Sequence, residues 1–118
     1  MKFEGIYTPA ITPLDNDGQI DKTAFAEVLE YLIDAKIHGI IIGGSTGEYY
    51  AHTQQERLEL AAFAKEVIGN RLPLIIGTGA VRTEDSVAYA AAAKDIKADA
   101  ILVGSPPYAL PTEKENAA

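Results

Sequence analysis

Cysteine and tryptophan are both absent from the 118 residues. Without thiols there are neither disulfides nor thiolate metal sites. The two histidines, His38 and His52, do not have the spacing of a ligand pair, so no metal and no cofactor is expected. No apolar run approaches the roughly 20 residues that a membrane helix needs. Met1-Lys2-Phe3-Glu4-Gly5 is no signal peptide, so the expected location is cytoplasmic. Positive charge is scarce: 10 Lys and Arg stand against 17 Asp and Glu, a formal charge of −7. That balance argues against nucleic acid and anionic membrane as partners. It leaves a small anion open, because backbone amides and hydroxyls can bind one locally.

Apolar residues make up 47% of the chain and are grouped in short runs. The most informative run is Gly39-Ile40-Ile41-Ile42, followed by Gly43-Gly44-Ser45-Thr46-Gly47-Glu48-Tyr49-Tyr50. Three β-branched residues between glycines suit a strand buried on both faces. The glycines after it allow close backbone approach. Ser45 and Thr46 add two hydroxyls to a turn whose N–H groups can share one concavity, an arrangement suited to a carboxylate. A plain strand-to-helix turn satisfies the same residues.

The rest of the chain repeats this arrangement. Ile6–Ala10 reads as a short first strand ended by Pro9 and Pro13. Asp15-Asn16-Asp17-Gly18 is a turn, and Asp21 is the N-cap of a helix with Phe25, Val28, Leu29, Leu32 and Ile33 on one face. Gly39 is expected to close that helix or the turn after it. Thr53-Gln54-Gln55-Glu56 is a capping box opening a second helix, which Gly69-Asn70 ends. Leu74-Ile75-Ile76 is a third strand, closed by Gly77-Thr78-Gly79. Thr83 is expected to cap a third helix, and Ala100–Val103 forms a fourth strand before Gly104-Ser105-Pro106-Pro107-Tyr108.

The fold class is therefore α/β, a βαβαβαβ unit with a parallel sheet, and residues 1–118 are expected to be a single domain. Two architectures fit: an open doubly wound sheet, and the first half of an eight-stranded (β/α) barrel. In either, the glycine-rich turns gather at the carboxyl edge of the sheet. Nucleotide binding finds little support, because Gly77-Thr78-Gly79 lacks a third glycine in register and no phosphate-loop motif occurs. Tyr108, held after two prolines, is either a proton-relay phenol or a ring packed over a loop.

Gly44-Ser45-Thr46-Gly47-Glu48 after a hydrophobic strand resembles the signature of the pyruvate-dependent Schiff-base aldolases. This is the family of dihydrodipicolinate synthase and N-acetylneuraminate lyase. Thr8–Asp15 with Asp17-Gly18-Gln19-Ile20-Asp21, and Ser105-Pro106-Pro107-Tyr108 with Pro111, resemble the same family's opening and the segment after its fourth strand. The resemblance runs along essentially the whole chain and favours the half barrel. It implies a lyase or aldolase acting on pyruvate or another 2-oxo acid, with Ser45, Thr46 and Gly47 binding the carboxylate. Thr46 and Tyr108 would serve the chemistry, Tyr108 as the relay phenol.

Glu48 is expected to orient the loop by hydrogen bonding. Tyr49 and Tyr50 would line the site, a subunit contact or the underside of the loop. The Schiff-base lysine of relatives would lie beyond Ala118, so residues 1–118 alone are expected to be inactive. A homo-oligomer is the expected assembly, because half a barrel leaves two sheet edges unpaired. Dihydrodipicolinate synthases usually carry a Tyr-Tyr pair where this chain has Pro107-Tyr108, a departure that counts against that one activity within the family's chemistry. The alternative without it is a small carboxylate-binding domain or a doubly wound nucleotide-binding domain.

Overall fold

A computed structural model describes residues 2–118. Strands β1 (Tyr7–Pro9), β2 (Gly39–Ile42), β3 (Leu74–Gly77) and β4 (Ala100–Leu102) alternate with helices α1 (Lys22–Asp34), α2 (Gln54–Ile68) and α3 (Thr83–Asp95). A short helix α4 (Glu113–Ala117) follows. It has its own capping box between Thr112 and Glu115.

The order in the sheet is β1-β2-β3-β4, every neighbouring pair parallel. This order decides between the two architectures. A doubly wound sheet reverses its strand order and carries helices on both faces. Here each strand is laid beside the last in one direction, and right-handed crossovers then place every connecting helix on one face. The result is a singly wound segment of barrel wall, and the nucleotide-type open sheet is overturned.

Local signals place the helices. Asp21 Oδ1 accepts from Ala24 N at 2.9 Å, capping α1. The capping box of α2 is present in both directions, Thr53 N to Glu56 at 2.7 Å and Glu56 N to Thr53 at 3.2 Å. Gly69 (φ 59) ends that helix. Three expectations need correction. Arg82, not Thr83, is the N-cap of α3, without a side-chain bond, while Glu84 and Asp85 place negative charge in the first turn. Gly39 opens β2 instead of closing a helix, α1 having ended at Asp34. Strand β4 stops at Leu102, before Val103.

The core lies between the sheet and the helices. Ile40, Ile42, Leu74 and Ile76 point into it and meet Phe25, Leu29, Leu60, Ala64 and Ile68. The intervening Ile41 and Ile75 face the other way and are only half-buried, and Leu102, in register with Gly77, is 51% exposed. The expectation that β2 is buried on both faces therefore fails at Ile41. That face is the inner, concave side of the wall, and no layer covers it among the described residues.

Candidate functional site

The site is built on the carboxyl ends of β2 and β3. After Ile42 the chain passes Gly43, in the left-handed region at φ 76. It then forms a single 3-10 turn over Ser45–Gly47. Gly47 N bonds Gly44 O at 3.1 Å and Glu48 N bonds Ser45 O at 3.0 Å. The amides of Ser45 and Thr46 open the turn and so have no partner within it. Ser45 and Thr46 are exposed and Gly47 is buried. All three predicted donors thus share one turn, but only Ser45 and Thr46 face solvent, the Gly47 amide being taken by Gly44 O.

Close backbone approach fixes this turn against its neighbours. A Cβ on Gly77 would stand 2.3 Å from Gly43 O, so the ends of β2 and β3 touch backbone to backbone. A Cβ on Gly47 would stand 3.0 Å from Ala10 O. Buried Thr12 donates its hydroxyl to Gly47 O at 2.9 Å, and His52 Nε2 lies 3.1 Å from the same oxygen. Thr78, 1% exposed, ties the end of β3 to β4 through Thr78 N to Leu102 O at 3.0 Å. Glu48 departs from expectation: it is exposed, its backbone ends the turn at φ 57, and no hydrogen bond of its carboxylate is found among the described residues.

Tyr108 follows β4 as Thr46 follows β2, and in a parallel sheet both therefore lie at the carboxyl edge. They are not brought together beyond that. Tyr108 is fully exposed, with its backbone at φ 70, and its phenol packs on nothing. Tyr49 is half-buried with its ring against Gly79, whereas Tyr50 is 69% exposed. His38 is exposed, and its Nδ1 accepts from Ile6 N at 2.9 Å. Lys65 is half-buried on α2, and the other described lysines are exposed. No group of acidic or histidine side chains among the described residues is arranged to hold a metal ion.

The sequence profile of the Dihydrodipicolinate synthetase family matches residues 2–118. The chain belongs to that family. A 4-hydroxy-tetrahydrodipicolinate synthase from Kosmotoga olearia is 38% identical over 112 residues, 95% of this chain and 38% of the relative. Among solved structures, the 4-hydroxy-tetrahydrodipicolinate synthase of Methylacidiphilum fumariolicum SolV superimposes with a TM-score of 0.92 at 34% identity. The match covers 98% of this chain and 38% of that one. A prophage protein of the dihydrodipicolinic acid synthase family from E. coli K12, solved in complex with pyruvate, gives 0.90 at 34% identity, covering 95% and 38%. The chain thus spans well under half the length of these relatives. Its four strands correspond to the first half of their barrel.

Two buried polar residues of this family member escaped the sequence reading. Arg57 is 9% exposed. Its Nη1 donates to Gly79 O at 2.8 Å and its Nη2 to Gly77 O at 3.0 Å. The guanidinium lies 3.7 Å from the Tyr89 ring centroid and 4.9 Å from that of Tyr49. A signal was present: Arg57 falls in helical register with the buried Leu60, Ala61, Ala64 and Ile68. Thr12 carried no such signal, because its partner Gly47 is 35 residues away.

Proposed function

We propose that residues 1–118 act as one domain that supplies the carboxylate-binding wall of a Schiff-base lyase or aldolase. Its substrate is pyruvate or another 2-oxo acid. The observation that carries this reading is the exposed Ser45–Thr46 pair on a glycine-closed turn at the carboxyl edge of a parallel sheet. Hydroxyls and free amides there offer a carboxylate several donors without a buried cation in contact. The amine that forms the imine is a lysine outside these residues. It attacks the keto carbon, water leaves, and the resulting iminium accepts the electron pair when the carbon–carbon bond breaks. Thr46 holds the substrate in register, and Tyr108 carries a proton once it is brought over the site. The working form is a cytoplasmic homo-oligomer, in keeping with the exposed edges at β1 and β4.

Titration of the labelled chain with pyruvate tests the binding half. Amide shifts should move at Ser45, Thr46 and Gly47, and adenine nucleotides should leave them in place. Thr46→Val should weaken pyruvate about tenfold, the order of a lost hydrogen bond to a charged group. Borohydride treatment with pyruvate should add no mass to this chain, whereas an adduct on any of its lysines would contradict the assignment of the amine.

A further inference from the structure

Arg57 is a buried cation that meets no carboxylate among the described residues. Its guanidinium is satisfied by two carbonyls and two aromatic faces. Keeping an ion from water without a counter-charge is costly, and a neutral side chain of similar length would pack between Tyr49 and Tyr89 without that cost. What the cation touches is informative. One arm holds Gly77 O, and Gly77 is the residue that abuts Gly43 at the start of the Ser45–Thr46 turn. The flat face lies over Tyr49, the residue directly after Glu48, where the turn ends. Both ends of the segment from Gly43 to Tyr49 therefore rest on one guanidinium. Gly43, Gly47, Tyr49, Arg57, Gly77 and Tyr89 all line a single cavity of about 20 Å³ beneath it. Thr12 and His52 hold Gly47 O separately, so they fix the middle of the turn and not its ends.

We infer that Arg57 is a positioning residue for the carboxylate-binding turn. It sets the spacing of the Ser45 and Thr46 donors from behind and leaves an uncompensated positive charge under the anion. The inference rests on the proposed function for the identity of the anion, but not for the bracing of the turn. Planarity is essential to it, because a lysine has the charge without the fork that spans Gly77 O and Gly79 O.

Amide hydrogen exchange and pyruvate titration on the full chain test it, with Arg57→Met, Arg57→Lys and Tyr49→Leu. In Arg57→Met, exchange at Gly47 and Glu48, whose amides close the turn, should accelerate about tenfold or more while the α1 and β2 core amides keep their relative order. Pyruvate should bind about tenfold more weakly. Arg57→Lys should show the same fast exchange with a smaller loss of affinity, since charge remains and geometry does not. Tyr49→Leu should accelerate the Glu48 side more than the Gly43 side. Uniform acceleration of all amides, or unchanged exchange at Gly47 and Glu48 in both arginine variants, would overturn the role of Arg57. If Arg57→Met does not fold, Arg57→Lys decides alone. A wild-type chain without pyruvate shifts at Ser45 and Thr46 sinks the proposed function instead, and the exchange data then still decide whether Arg57 braces the turn.

Discussion

Gly77→Ala puts the architecture of the site to its hardest test. The added methyl would lie 2.3 Å from Gly43 O, 2.7 Å from Gly43 C and 3.2 Å from Gly44 N. All three are backbone atoms, so no side chain can swing away. Overpacking of this kind costs about 1–3 kcal/mol, and a carbonyl contact this short puts the cost at the upper end. Reduced freedom of the unfolded chain returns about 0.4–1 kcal/mol. The net expectation is a loss of about 2 kcal/mol, or about 1 M in urea midpoint for an m-value of about 2 kcal/mol/M. Two glycines serve as controls. Gly104→Ala, with open space and no positive φ, should gain only the unfolded-chain part, about 0.4–1 kcal/mol. Gly18→Ala, with open space but φ at +77, should lose only the left-handed penalty of about 1–2 kcal/mol. Urea unfolding at one fixed protein concentration measures all three, since association shifts apparent stability. The displaced Gly43 carbonyl should also move the amide shifts of Gly44 and Ser45. A Gly77→Ala chain with wild-type midpoint and wild-type shifts there would refute the claim that the β2 and β3 ends are in backbone contact.

Other changes probe other parts of the chain. Thr53→Ala removes the hydroxyl that accepts from Glu56 N and should cost about 1 kcal/mol by urea unfolding, against no loss for Thr53→Ser. Arg71 donates Nη1 to Glu30 at 2.9 Å and Nη2 at 2.6 Å, and the hydrogen-bonded guanidinium holds the Glu30 carboxyl below its ordinary value. A carboxyl depressed in the folded state contributes stability that is complete above its unfolded pKa of about 4.3 and is lost as pH falls through the lower folded value. Both groups are on the surface, so the effect is small and should shrink in high salt. Glu30→Gln should lower stability slightly near neutrality, and its difference from the wild type should fade as pH falls through the folded Glu30 value.

How legible the fold was varied with the range of the interaction. The capping box at Thr53–Glu56, the Asp21 cap and the Gly69 stop use contacts within a few residues, and the sequence alone places them. At Thr83 local reasoning fails, because a hydroxyl at a helix start is a good cap only if the backbone places it one residue earlier. Gly39 was misassigned because a glycine after a helix and a glycine opening a strand look alike. Here the Tyr7 ring fills the space a side chain at Gly39 would take, a contact across 32 residues. The site divides the same way. Ser45, Thr46 and Gly47 were visible as a turn, whereas Arg57 and Thr12 act on it through partners 20 to 35 residues away.

By its own residues the chain determined the alternation of strand and helix, the glycine turns that end β2, β3 and β4, and the hydroxyls at one of them. Those features follow from local backbone preference and from apolar periodicity, both of which act over one or two turns. Only the tertiary structure decided that the strands lie in sequential order, so that the wall winds in one direction. It also decided that Ile41 and Ile75 face an uncovered concave side, and that one guanidinium reaches both ends of the turn. Strand order and face depend on which distant segments pack together, and that choice is made by the burial of the whole core at once.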